Sequence, residues 1–188
     1  MHPLELTPGE AGDPRRAFLE VSSEELLAWL QRQGQAPLRA RQIRRWLLIG
    51  RATTFEQMSD VPKRLRDALS AEFRPLGGDI VRHLISCDGT HKLLLRLHDG
   101  QVVECVLLTE ADRRTVCIST QVGCGMGCVF CASGLGGVVR NLTTGEILEQ
   151  MIQARNLLHA EERLTNIVVM GMGEPLANLD ALLEALAV

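Results

Sequence analysis

Three cysteines crowded into one short stretch, Cys124-Gly125-Met126-Gly127-Cys128-Val129-Phe130-Cys131, constrain this chain more than any other feature. They recur at spacings of four and three, with an aromatic residue directly before the last, in a glycine-rich loop that follows a strand-like run from Thr115 to Thr120. Three thiolates on a flexible backbone can ligate three irons of a cubane cluster and leave the fourth iron open to another molecule. The same thiols could instead hold zinc, which prefers four ligands and is usually supplied by pairs of Cys or His on separate knuckles. Cys117 is the one nearby candidate for a fourth ligand, and no second Cys-x-x-Cys pair occurs.

The other features bound the class. Most of the 6 cysteines lie between Cys105 and Cys131, a crowding that suits metal binding in a reducing compartment better than a disulfide framework. A hydrophobic content of 46% supports a packed core. No apolar run approaches a membrane span, and Met1 to Arg16 lacks the apolar stretch of a signal peptide, so a cytoplasmic location is expected. The net charge is only −3, but it is unevenly spread. Between Leu38 and Arg74, nine basic residues (Arg39, Arg41, Arg44, Arg45, Arg51, Lys63, Arg64, Arg66, Arg74) face four acidic ones (Glu56, Asp60, Asp67, Glu72). That balance of +5 fits a phosphate-contacting module or, equally, a solvated helical surface.

Along the chain, residues 1–18 are rich in Pro and Gly and read as a flexible tail. Ser22-Ser23-Glu24-Glu25 is a helix start of capping-box type, stopping at Gly34. A second helix is expected from Arg39 to Gly50, burying Ile43, Trp46 and Leu47 with Arg41, Arg44 and Arg45 on the other face; Pro62 opens a third, with Leu65 and Leu69 inward. The helical module therefore covers 19–77. Three strand-like runs over 78–110 are joined at Asp88-Gly89 and Asp99-Gly100, which predicts an antiparallel meander. From 111 to 188 the order is strand, cysteine loop, a helix opened by the box Thr143 to Glu146, the apolar strand Thr165 to Met170, then a helix from about Asn178 still periodic at Val188. Alternating strands and helices predict an α/β fold with a parallel sheet.

The cysteine spacing resembles that of the radical S-adenosylmethionine (SAM) superfamily, in which the open iron chelates SAM and one-electron cleavage yields a 5′-deoxyadenosyl radical. The longer run from Cys117 to Thr143 closely resembles the RlmN family of dual-specificity 23S rRNA and tRNA adenine-C2 methyltransferases, and Gly171-Met172-Gly173-Glu174-Pro175-Leu176-Ala177-Asn178 matches as well. This implies a radical SAM core of partial (β/α)6 barrel type. At about 30 residues per strand-helix unit, the stretch from Cys117 to Val188 holds roughly the first two units, so the chain is expected to be an amino-terminal portion of a longer enzyme.

The resemblance also implies roles. Cys124, Cys128 and Cys131 would bind a 4Fe-4S cluster; Gly173 and Glu174 would line the SAM pocket. Glu104 would be the proton acceptor, and Cys117 the cysteine that resolves a protein–RNA crosslink after a methyl-carrying cysteine, which has no counterpart here, attacks the adenine. By themselves, Glu104 reads as a solvent-facing strand residue, Cys117 as a core thiol and the glycine segment as a tight turn. Cys87 and Cys105 receive no role. The expected partners are 23S rRNA, tRNA and an electron donor such as flavodoxin, with no membrane and a monomeric full-length protein. Pro175 and Val122 favour the carbon-2 enzymes over the related Cfr, which methylates carbon 8. The rival reading is a non-catalytic metal-binding module that binds RNA.

Overall fold

The structure is a computed structural model that describes residues 13–188. It begins with a short strand β1 (Arg16–Ala17) and a 3-10 turn, Phe18–Glu20. Three helices follow: α1 (Ser23–Arg32), α2 (Leu38–Leu48) and α3 (Lys63–Glu72). The capping box is formed as expected, with Ser22 accepting from the Glu25 N–H and Glu25 accepting from the Ser22 N–H. Strand β2 (Phe73–Arg74) pairs in parallel with β1. The core of this module gathers Leu26, Leu30, Ile43, Leu47, Leu65 and Leu69 around Phe18, Phe55 and Phe73, whose rings meet edge to face at 5.9 Å.

The tail expected over residues 1–18 lies largely outside the described residues. Its last part is corrected: Arg16 and Ala17 pair with Phe73 and Arg74, and Phe18 is a core residue because burying its ring outweighs the cost of ordering the segment.

Next come the meander strands β3 (Asp79–Ile85), β4 (His91–Arg96) and β5 (Val102–Thr109). The two Asp-Gly turns form as predicted, with Gly89 and Gly100 at φ +81° and +82° and the Asp88 and Asp99 carboxylates accepting N–H groups two residues on. They are followed by β6 (Arg114–Cys117), β7 (Gln121–Gly123), β8 (Val138–Asn141), α4 (Thr144–Asn156), β9 (Asn166–Val168) and α5 (Leu179–Leu186). Strands β3-β4-β5-β6-β9 make one five-stranded sheet, antiparallel until β9 joins β6 in parallel. The meander is thus continuous with the later strands, because β5 retains a free edge that β6 fills. The sheet is open: among the described residues it contains one parallel pair and does not close into a barrel.

Helix α4 covers one face of this sheet. Leu93, Leu95, Val103, Cys105, Leu107 and Val116 point toward it and are buried with Ile147, Met151, Ala154 and Leu158. Unlike a surface helix with one apolar stripe, α4 is buried nearly all round, since the helical module packs on its outer side. Its polar residues are consequently buried and paired: Glu146 with Arg140, Glu149 with the Gly77 and Gly78 N–H groups, Gln150 with Ser119.

Candidate SAM and metal-cluster site

The triad loop is held by its feet. Strands β7 and β8 pair as a hairpin, with Gln121 opposite Asn141 and Val122 opposite Arg140, and the Cys124 N–H donates to Gly137 O at 3.0 Å. Arg140 anchors β8 by two bonds to the Glu146 carboxylate, at 2.7 and 2.8 Å, and a third to Asp99 at 2.7 Å. Between these feet the loop is exposed, with the side chains of Val129, Phe130 and Leu135 turned out to solvent. Cys124 is buried, Cys131 half-buried and Cys128 exposed; Cys128 O accepts the Cys131 N–H at 3.0 Å in a tight turn. Among the described residues no three of His, Cys, Asp or Glu are gathered closely enough to hold a metal ion. The donor set itself suits a cluster: three thiols in one loop, with no carboxylate or imidazole among them. Were a cluster bound, its metal–thiolate bonds would supply the work of drawing the three thiols together.

The glycine segment is laid directly along the stretch that leads into this loop. Gly171 N–H donates to Ile118 O at 3.0 Å, Met172 N–H to Ser119 Oγ at 2.8 Å, and Thr120 N–H to Met172 O at 2.8 Å. The approach is so close that a Cβ on Gly171 would lie 2.6 Å from Ser119 Oγ and 2.7 Å from Ile118 O. The Glu174 carboxylate caps the following turn by accepting the Leu176 N–H at 3.1 Å. Asn178 closes the corner, its Nδ2 donating to both Thr120 O and Leu142 O at 2.8 Å. The hydroxyl of Thr120, buried in the same corner, has no partner. The two motifs, 53 residues apart at Ser119 and Met172, form one structure at the carboxyl ends of β6 and β9, where parallel strands expose backbone groups to ligands.

Glu104 and Cys117 share the sheet face that α4 does not cover. Along β5, Val103, Cys105 and Leu107 point to the helix, so Glu104 and Val106 point away, and Cys117 lies opposite Val106. Glu104 and Cys117 are therefore diagonal neighbours, with Cα atoms roughly 7–8 Å apart. Lys92 Nζ sits 2.8 Å from Glu104 Oε1 on the same face. Partial burial pushes the Cys117 thiol up, offset in part by a hydrogen bond involving the Met170 backbone. Cys105, on the buried face, is pushed up to about 12 by burial, and its thiol contacts Gln150 O at 3.7 Å.

Known proteins match this arrangement. Residues 17–74 match the family model described as the ribosomal RNA large subunit methyltransferase N-terminal domain. A "probable dual-specificity RNA methyltransferase RlmN" of Rhodopirellula baltica is 56% identical over 97% of this chain and 49% of its own length. The "dual-specificity RNA methyltransferase RlmN" of Desulfosudis oleivorans is 48% identical over 84% of this chain and 43% of its own length. The crystal structure of a radical SAM methyltransferase from Sphaerobacter thermophilus superposes with a TM-score of 0.84 at 41% identity, covering 91% of this chain and 51% of that one.

The chain belongs to the RlmN family. It spans about half the length of the curated relatives it matches.

In this RlmN-family chain the basic module differs from the sequence expectation. Arg44 is half-buried and donates to Val21 O at 3.1 Å, because α1 packs over that flank of α2. Arg45 pairs with Asp60 at 3.2 Å and Lys63 with Asp67 at 2.8 Å. Arg51 reaches across to the segment that follows α4, donating to Leu158 O at 2.6 Å and Glu162 O at 2.5 Å, while Arg155 of α4 donates to Leu47 O at 3.0 Å. Among the described residues, Arg41 and Arg64 are the members of the basic set without a hydrogen bond or ion pair.

Sequence reasoning missed Lys92, Gln121, Asn141, Gln150 and Asn178. The available signal was weak: Gln150 is a polar residue one step from the apolar stripe of α4, and Gln121 and Asn141 lie on either side of the triad loop.

Proposed function

We propose that this chain supplies the amino-terminal half of a radical SAM methyltransferase acting on carbon 2 of adenosine in 23S rRNA and tRNA. One observation carries the reading: the triad loop and the Gly171–Glu174 segment, distant in sequence, are hydrogen-bonded into one corner through Ser119, Thr120 and Gln121. The family relationship and the names of the relatives support it.

Cys124, Cys128 and Cys131 would hold the 4Fe-4S cluster, and Gly173 and Glu174 would line the SAM pocket. When bound, such a cluster supplies the electron for reductive cleavage of SAM. The protein's own contributions are separate. Arg140 and the β7–β8 hairpin fix the feet of the ligand loop. On the uncovered face Glu104 and Cys117 are diagonal neighbours, with Lys92 Nζ 2.8 Å from Glu104 Oε1; in this reading the two would flank one substrate base, with Glu104 as the proton acceptor. Cys117 stays a protonated thiol at neutral pH, since burial opposes its ionisation. The carbon-2 assignment rests on Pro175 and Val122, and the partial (β/α)6 barrel on the open sheet being extended beyond β9 in the whole protein.

The test joins this chain to the carboxyl-terminal half of the Rhodopirellula baltica relative. The completed enzyme, reconstituted anaerobically with iron, sulfide, SAM and a reductant, is expected to form 2-methyladenosine in unmodified rRNA; the 188-residue chain alone is expected to form none. Stoichiometric zinc in a colourless, SAM-inert protein would instead establish the metal-binding RNA module.

A further inference from the structure

Gln121 uses both ends of its amide in the corner where the glycine segment meets the triad loop. Its Oε1 accepts the Glu174 N–H at 2.9 Å, and its Nε2 donates to Asn141 Oδ1 at 2.8 Å. Asn141 Nδ2 donates in turn to Ala177 O at 3.1 Å. Gln121 is buried, and Gly173, at φ +104°, lies against its aliphatic stem, where a Cβ would come within 2.7 Å of Gln121 Cβ. No other side chain than glycine's hydrogen fits there.

This contact sets the direction of a carbonyl. A trans peptide holds the carbonyl of one residue and the N–H of the next on opposite sides, and the chain has no cis peptide among its described residues. With the Glu174 N–H drawn to Gln121, the Gly173 carbonyl faces away from it, and among the described residues no donor hydrogen-bonds to that oxygen. The preceding carbonyl is already in use: Met172 O accepts the N–H groups of Thr120 at 2.8 Å and Gln121 at 3.2 Å. Gly173 O is therefore an acceptor that this strand end leaves without a donor among the described residues.

We infer that Gln121 is a positioning residue for SAM. By fixing the Gly173–Glu174 peptide it presents Gly173 O to the ammonium of the amino-acid end of SAM, and through Asn141 it ties that acceptor to the β8 foot of the triad loop. The inference rests on the reading that Gly173 and Glu174 line the SAM pocket. Substitution separates the two bonds: Glu at this position would keep the acceptor for the Glu174 N–H and lose the donor to Asn141, and Leu would lose both.

The test compares wild type, Gln121→Leu and Gln121→Glu in two settings: hydrogen exchange of the Glu174 amide in the 188-residue chain, and steady-state kinetics with SAM in the completed enzyme described above. Loss of one oriented acceptor is expected to raise KM for SAM about tenfold in Gln121→Leu and to speed Glu174 exchange by about the same factor, with kcat and bound iron little changed. Gln121→Glu is expected to restore Glu174 protection and to bring KM back within about threefold of wild type. A wild-type KM in Gln121→Leu alongside faster Glu174 exchange would overturn the proposal and reduce Gln121 to a structural role. An equally raised KM in Gln121→Glu with Glu174 protected would overturn it as well. Should Gln121→Leu not fold, Gln121→Glu and Asn141→Ala carry the test, and an unchanged KM in Asn141→Ala would remove the tie to the loop. A wild-type completed enzyme that takes up iron but neither binds nor cleaves SAM defeats the SAM reading itself, and the role of Gln121 with it.

Discussion

Gln150 holds both backbone groups of Ser119: its Oε1 accepts the Ser119 N–H at 2.8 Å and its Nε2 donates to the Ser119 carbonyl at 2.9 Å. The side chain acts as a missing strand partner, satisfying from α4 a buried stretch of chain that has left the sheet after β6. Gln150→Leu leaves two buried backbone groups unpaired and is expected to cost about 2–4 kcal/mol, read from the shift in urea midpoint at constant m-value. Because Ser119 Oγ also accepts the Met172 N–H and donates to Glu104 O, the same variant is expected to loosen the glycine segment, seen as faster hydrogen exchange at Met172.

Removing one thiol of the triad tests the cluster. Cys128→Ala in the completed enzyme is expected to abolish the brown absorption near about 400 nm after anaerobic reconstitution, along with SAM cleavage. Retention of both would exclude Cys128 as a ligand.

The basic module makes a narrower prediction than its charge count. Arg41 and Arg64 remain available to phosphates, while Arg44 and Arg45 are engaged by Val21 O and Asp60. Arg41→Gln is expected to lower the slope of log affinity against log salt for RNA by about 0.7–0.9, the value of one lost phosphate contact. Arg44→Gln is expected to leave the slope unchanged and to lower the melting temperature.

Glu149 predicts a pH dependence. Burial raises its pKa above the ordinary 4.5, against the opposing pull of the Gly77 and Gly78 N–H groups, Gln153 and the Arg74 charge. A carboxyl that holds its proton more tightly when folded adds stability that is complete below the unfolded pKa and is lost as pH rises through the folded one. The stability difference between wild type and Glu149→Gln is therefore expected to shift against wild type as pH rises above about 4.5, measured by thermal melts of both proteins over a pH series starting below that value.

Much of the architecture was legible in the chain itself, wherever local chemistry decides. Ser22 with Glu25 and Thr143 with Glu146 start helices because their side chains satisfy N–H groups within one turn. Asp88-Gly89 and Asp99-Gly100 turn the meander because glycine alone adopts positive φ without cost. The triad suggests a cluster through its spacing alone, since all three thiols lie in one loop. The strand order was less complete: period 2 identified β3, β4 and β5, but not that β6 would continue their sheet, which depends on a free edge and not on any pattern within β6.

The tertiary structure alone decided which polar residues matter. Periodicity separates apolar from polar positions; it cannot tell a solvated Gln or Glu from one buried against a partner dozens of residues away. Glu149 on Gly77 and Gly78, Gln150 on Ser119, Gln121 between Glu174 and Asn141, and Lys92 beside Glu104 all belong to that second kind. Each was invisible for the same physical reason: a hydrogen bond or ion pair requires atoms within about 3 Å, and only the folded chain brings residues from separate elements that close.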